Sequence, residues 1–260
     1  MRYLIAVLFS GLFLFGCAKR DDGLFLSSGT KTQLDKDFRA LPSQVIEGGK
    51  SVVSSRNNVN LLLLGGAASV VLNQGVNNNT AEYFEKHEIF PEGPDRALDL
   101  VGGPGFHFGA AGFWYLWASE NNDSFNRERA WTMIEALSVT GATTFSLKAI
   151  ANNKTPNGKD WAWPSGHTSS SFTVAAVLDE FYGPEVGIPA YIGASVVGLR
   201  MMAVGDHWAS DVAFGAALGW AVGHTIAGNH VKKEVAGFEI VPFTYNSYGP
   251  VMGVNLIRQF

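Results

Sequence analysis

The stretch WAWPSGHTSSSF, residues 161–172, sets a proline, a serine, a glycine and a histidine where an apolar helical pattern begins. Pro164 cannot sit inside a helix but fits at or just before its first turn. Ser165 is then a natural N-cap, Gly166 permits close backbone approach, and His167 stands at the positive end of the helix dipole. A hydroxyl, free amides and an imidazole converging at a helix start suit a phosphate-like anion. Alone, the tetrapeptide reads first as an ordinary capped helix start, so any further meaning depends on what the chain brings beside it.

Two other segments supply that context. In GDHWASDVAFGAALG, residues 205–219, His207 and Asp211 are four apart, so on a helix they share a face and can touch. A carboxylate on one imidazole nitrogen fixes the tautomer and frees the other nitrogen as a base or nucleophile. Apolar Val212, Phe214, Leu218 and Trp220 follow at once, which places the pair at the lip of a core. In SLKAIANNKTPNGKDWAWPSGH, residues 146–167, Lys148 comes late in a long helical pattern, where a cation complements the dipole. Thr155-Pro156-Asn157-Gly158 then reads as a turn leading to the Ser/His segment.

Together the three segments resemble the type 2 phosphatidic acid phosphatase family, which shares a fold with vanadium haloperoxidases. Its signature is Lys-x6-Arg-Pro, then Pro-Ser-Gly-His, then Ser-Arg-x5-His-x3-Asp. Lys148 and Pro156 match the first motif, Pro164, Ser165, Gly166 and His167 the second, His207 and Asp211 the end of the third. The resemblance covers residues 126–227 and implies an all-α helical bundle. Two positions depart. Thr155 stands where the first motif has Arg, and Arg200-Met201 where the third has Ser-Arg, so the arginine comes one position early. On a helix that turns its direction by about 100°. Lys154 and Lys159 are candidates to replace the charge missing at 155.

What the resemblance implies for mechanism is specific. His207 attacks phosphorus and forms a phospho-histidine while Asp211 holds its tautomer. His167 protonates the leaving oxygen and then activates water. Lys148, Arg200, Ser165 and the Gly166 amide stabilise the equatorial oxygens. No metal or other cofactor is required, and the sequence has no compact His/Cys/carboxylate cluster with metal-ligand spacing. His87, His107, His224 and His230 read as incidental, with His107 in PGFHFGAAG the one to check. The implied activity is a phosphohydrolase on a phosphomonoester or diphosphate, of a lipid or a small molecule. A non-catalytic descendant that binds an anion or partner, and a vanadate-dependent peroxidase, are the rival readings.

The rest of the chain sets the surroundings. At 260 residues and 47% hydrophobic it can bury a substantial core. A net charge of −4 and a pI near 5.9 give no reason to expect nucleic acid as a partner. One Arg, an apolar run and the only Cys open the sequence, a signal-peptide layout over residues 1–16. Leu14-Phe15-Gly16-Cys17 resembles the bacterial lipobox, which makes Cys17 a lipid anchor to a membrane. Ala18, in place of the Asp that retains lipoproteins at the inner membrane, points to the outer membrane. Residues 17–40 then form a tether, 41–230 the phosphatase-like domain, and 231–260 an extension.

Helical texture is expected over 43–55, 60–72, 81–87, 95–119, 126–152, 167–181, 188–203 and 207–227. The tail, FEIVPFTYNSYGPVMGVNLIRQF, predicts a β-hairpin of 239–245 with 251–259, laid over the bundle. Apolar stretches at 61–71 and 106–118 are shorter than a spanning helix needs; those at 186–204 and 212–227 are borderline, and a bundle in water is the expectation.

Overall fold

The computed structural model describes residues 26–233, 239–245 and 251–257; the expected signal peptide and Cys17 lie outside the described residues. The described elements run α1 Ser28–Ser54, α2 Arg56–Gly75, α3 Asn77–Lys86, α4 Glu92–Gly102, α5 Pro104–Glu120, α6 Ser124–Ala151, α7 Gly166–Tyr182, α8 Pro184–Ala203 and α9 Ala209–Lys233. Strands β1 Glu239–Tyr245 and β2 Val251–Ile257 follow. They pair antiparallel, from Glu239 opposite Ile257 to Tyr245 opposite Val251. The all-α bundle with a C-terminal hairpin is thus what the chain forms.

Three boundaries differ from expectation. The tether expected through residue 40 is helical from Ser28, whose preceding Ser27 side chain accepts the Thr30 amide. Pro42 lies inside that helix. Tertiary contacts on both sides hold it in line: Asp37 accepts from the Tyr115 hydroxyl at 2.6 Å, and Gln44 accepts from the Trp131 indole at 3.0 Å. The helix expected over 95–119 is two, broken at Gly103, which is extended with ψ 138°. Gly103 precedes Pro104, whose ring disfavours helical geometry in the residue before it. The helix expected from His207 begins at Ala209, leaving His207 in the turn before it.

The core gathers around α6, α7 and α9, with Leu137, Val139, Val177, Leu218 and Val222 almost wholly buried. Helices α7 and α9 pack so closely that only glycine fits along one edge of α9. A Cβ at Gly219 would lie 2.2 Å from the Ser169 carbonyl, and one at Gly223 2.7 Å from that of Thr173. At the head of this stripe, a Cβ on Gly215 would meet the Ser165 carbonyl at 2.9 Å. The close contact brings the start of α7 to the start of α9. There Asn77 accepts the Ser210 amide at 3.1 Å and donates to its hydroxyl at 2.8 Å, tying α9 to α3.

Among the described residues, α8 is one helix long and apolar enough to cross a membrane, with 33% of its most apolar window buried. Helices α2 and α3 pass the same test only together, as a pair bent by 62°.

Candidate active site

His207 and Asp211 meet across the first turn of α9. His207 Nδ1 lies 3.4 Å from Asp211 Oδ2, and that same oxygen accepts the Trp208 amide at 2.9 Å. The carboxylate therefore closes the helix start from its first turn, as the acidic member of a capping box does, while it faces the imidazole. Asp211 is only 1% exposed, and Ser210 Oγ lies 3.4 Å from its second oxygen. The His207 amide donates to the Met201 carbonyl at 3.0 Å, which fixes the turn carrying the ring. The expected pairing is present, but across a helix boundary rather than along one helical face. A carboxylate at Nδ1 favours the proton there and leaves Nε2 with its lone pair.

The Ser165 amide donates to the Asp211 carbonyl at 3.1 Å, joining the two histidine-bearing segments directly. Ser165 caps α7 as its sequence position predicts: Oγ accepts from the Thr168 amide at 3.4 Å and from its hydroxyl at 3.0 Å. It is 0% exposed. The hydroxyl is thus enclosed within the cap, where as an acceptor it shapes the helix start. The amides of Gly166 and His167, the first two of α7, are of the kind a helix leaves without internal partners. Lys148, in the last turn of α6, comes beside them, its Cε 4.0 Å from where a Cβ on Gly166 would stand. Its ammonium donates to the carbonyls of Trp161 and, at 3.1 Å, Ala162. Burial pushes Lys148 down to about 8, against the pull of the Asp211 charge.

His167 opens onto α4. Its Nε2 lies 3.9 Å from Asp99 Oδ1. Burial holds the imidazole below its usual value; Asp99 and Asp206 oppose that, while the charges of His207 and Arg200 add to it. The four groups therefore share one electrostatic neighbourhood with His167. Arg200, at the end of α8, is buried and turned inward despite its early position. Its Nε and Nη2 meet the two oxygens of Asp95 at 2.7 and 3.0 Å, and Nη1 meets Asp99 Oδ1 at 2.5 Å. Sequence reading missed both carboxylates, although their spacing of four on α4 was the available signal.

At Thr155 no cation is restored. The buried hydroxyl donates to Asn157 Oδ1 at 2.7 Å and accepts the Lys159 amide at 2.8 Å, holding the turn. Lys154 pairs with Asp160 at the surface and Lys159 with Asp206, each at 2.5 Å. Lys159 thus stands next to the His207 turn but is already engaged. Although burial opposes it, the bonds from Lys159 and Asn157 hold the Asp206 carboxyl below its usual range. His107 does reach the site's edge. Its Nδ1 is 3.1 Å from Ser170 Oγ, and burial followed by the nearby His167 pushes it down to about 4. His87 bonds locally to Tyr83, His224 pairs with Glu180, and His230 packs its ring on Phe181. Among the described residues no group of three or more His, Cys, Asp or Glu could hold a metal.

Comparison with known proteins gives the family and the fold. The model of the PAP2 superfamily matches residues 79–234. A lipid A 1-phosphatase of Porphyromonas gingivalis is 40% identical over 65 residues, 24% of this chain and 15% of the relative. The matched segment thus spans well under two thirds of that relative. Among solved structures, a transmembrane PAP2-type phosphatidylglycerolphosphate phosphatase from Bacillus subtilis superposes with a TM-score of 0.58 at 17% identity. The match covers 68% of this chain and 98% of that one. LpxE of Aquifex aeolicus gives 0.50 at 20% identity, over 59% of this chain and 96% of that one. Both show a shared fold.

Proposed function

The chain belongs to the PAP2 superfamily, and from that premise we propose that it is a lipid phosphate phosphatase, hydrolysing the phosphomonoester or diphosphate of a lipid through a phospho-histidine. The observation that carries the reading is the convergence of His167, the His207–Asp211 pair, Lys148 and Arg200 from four separate helix ends. The relatives' printed names, lipid A 1-phosphatase and phosphatidylglycerolphosphate phosphatase, make a phosphorylated lipid the first substrate class to try.

In the first step His207 Nε2 forms a bond to phosphorus while the ester oxygen leaves with the bonding pair and takes a proton from His167. Asp211 stabilises the charge that develops on the His207 ring. Lys148, Arg200 and the Gly166 amide face the equatorial oxygens, whose charge grows in a loose transition state. In the second step His167 takes a proton from water, whose oxygen displaces His207 and releases inorganic phosphate. None of these steps calls on a metal. The sequence pattern of residues 1–17 supports export and anchoring through Cys17, at the periplasmic face of the outer membrane, where lipid phosphates lie within reach of a tethered pocket.

Purified full-length protein and its His207→Ala variant, assayed for phosphate release from phosphatidic acid in mixed micelles, test the reading. Activity in the wild type that vanishes in the variant and is inhibited by vanadate is the expected result. Equal background in both would sink it. That outcome would favour the impaired, anion-binding descendant, for which Thr155 and the carboxylates already engaging Arg200 are the specific observations.

A further inference from the structure

We infer that Asp99, assisted by Asp95, is a positioning residue of this site: α4 supplies an acidic clamp that aims the displaced Arg200 and holds His167 beside it. The inference rests on the phosphatase reading and concerns residues that no motif of the three segments contains.

The argument begins with register. An arginine one position early on a helix points about 100° away from the expected direction, yet Arg200 is buried and near enough to His167 for its charge to lower that imidazole. Something must pull it there. Asp95 and Asp99, one turn apart on α4, grip three of its nitrogens, with Asp95 binding bidentate along the Nε–Nη2 edge. Such fork-to-fork pairing fixes the plane of a guanidinium as well as its position. A guanidinium has five N–H bonds, so three contacts leave one on each terminal nitrogen to meet a phosphate oxygen.

Asp99 does more than hold the arginine. The Oδ1 that accepts from Arg200 is also the atom 3.9 Å from His167 Nε2. One carboxylate oxygen thus spans the guanidinium that faces the equatorial oxygens and the imidazole that protonates the leaving one. The charged and titratable groups facing His167 are Asp99 from α4, His107 from α5, Arg200 from α8, and Asp206 with His207 from the turn before α9. His107, pushed down to about 4, is neutral at working pH, so Asp99 is the nearest carboxylate that favours the imidazolium. Geometry explains why α4 can take this part. Its last residue, Gly102, lies against Val197 of α8 so tightly that a Cβ would stand 2.6 Å from a valine methyl. That contact sets α4 alongside the end of α8 that carries Arg200.

The test uses full-length Asp99→Asn, Asp99→Glu and Asp95→Asn proteins beside the wild type. His167 is titrated by NMR without substrate, its signal assigned from His167→Gln, and kcat and KM are measured across pH. In Asp99→Asn the imidazole is expected to titrate at lower pH. kcat/KM should fall about ten- to a hundredfold, the scale of a lost charge-assisted hydrogen bond, and the alkaline limb of kcat should move the same way. Asp99→Glu should restore much of both. Asp95→Asn should lower kcat/KM with little effect on the His167 titration. An unmoved His167 in Asp99→Asn overturns the inference, as does a lower KM at unchanged kcat, which would make the carboxylate a competitor of phosphate. The titration needs no turnover, so it decides the inference even if wild type and His207→Ala prove equally inactive.

Discussion

At the scale of single residues, the site is governed by where cations are allowed to keep their charge. Lys148 is the clearest case, because burial lowers it to about 8 from the ordinary 10.5. The folded protein releases this proton more readily than the unfolded chain does. Between those two values the unfolded chain binds more protons, so this group makes the fold more stable as pH rises through that window. Function runs the opposite way. If the ammonium helps to hold phosphate, affinity for inorganic phosphate, read as a competitive inhibition constant, should weaken as pH rises through about 8. Lys148→Arg should remove that decline, because a guanidinium stays protonated far beyond it. A wild-type inhibition constant that is flat between pH 7 and 9 would exclude Lys148 from the phosphate contact. This binding limb is separate from the one that the proposed acid role of His167 would set, and His167 lies below its usual imidazole value.

Between elements, the decisive feature is how close α7 and α9 come, since that distance carries His207 toward His167. Their glycine contact can be broken at a point away from both imidazoles. A Cβ at Gly219 would lie 2.2 Å from a backbone carbonyl, which cannot swing aside. Gly219→Ala should therefore push the helices apart and cost about 1–3 kcal/mol, the usual range for overpacking. A lowering of Tm by roughly 3–10 °C is expected. Gly141→Ala is the matched control: nothing stands within 4 Å of a Cβ there, and alanine is the better helix former. Thermal unfolding in detergent followed by circular dichroism checks both, and equal Tm values for the two variants would refute the packing argument. The same comparison marks what sequence alone could tell. The cap at Ser165, the turn at Thr155 and the hairpin strands were legible because each is set by local rules of capping, turn chemistry and alternation. The break at Gly103 was legible in principle, from the proline after it. The helix through Pro42, the burial of the Ser165 hydroxyl and the carboxylates around Arg200 were not, because each depends on partners tens of residues away.

For the whole molecule, the open question is what surrounds the bundle. Several outer faces are more apolar than water favours. Leu63 and Leu64 of α2 are 67% and 68% exposed, Phe113 and Trp117 of α5 are exposed, and Ile188 and Ile192 of α8 line an open groove with Tyr191 and Leu199. Exposed apolar side chains at about 25 cal/mol per Å² favour transfer to hydrocarbon, and large patches of them mark membrane or protein contact. A bundle in water, the expectation from span lengths alone, leaves this surface without a partner; a bilayer against these faces supplies one. Such contact would also bring a lipid phosphate to the helix ends where the imidazoles lie, without a long tether. Contact through these faces and the proposed anchor at Cys17 can be separated by removing that cysteine. Cys17→Ser, exported through a signal peptide that needs no lipidation, should remain in the membrane pellet after a high-salt wash and leave it only with detergent. Ionic adhesion would be screened by that wash, because the Debye length falls to about 3 Å at 1 M salt, whereas apolar burial would persist. Full release of the variant into the salt supernatant would mean that Cys17 alone holds the protein at the membrane and that the apolar faces await some other cover.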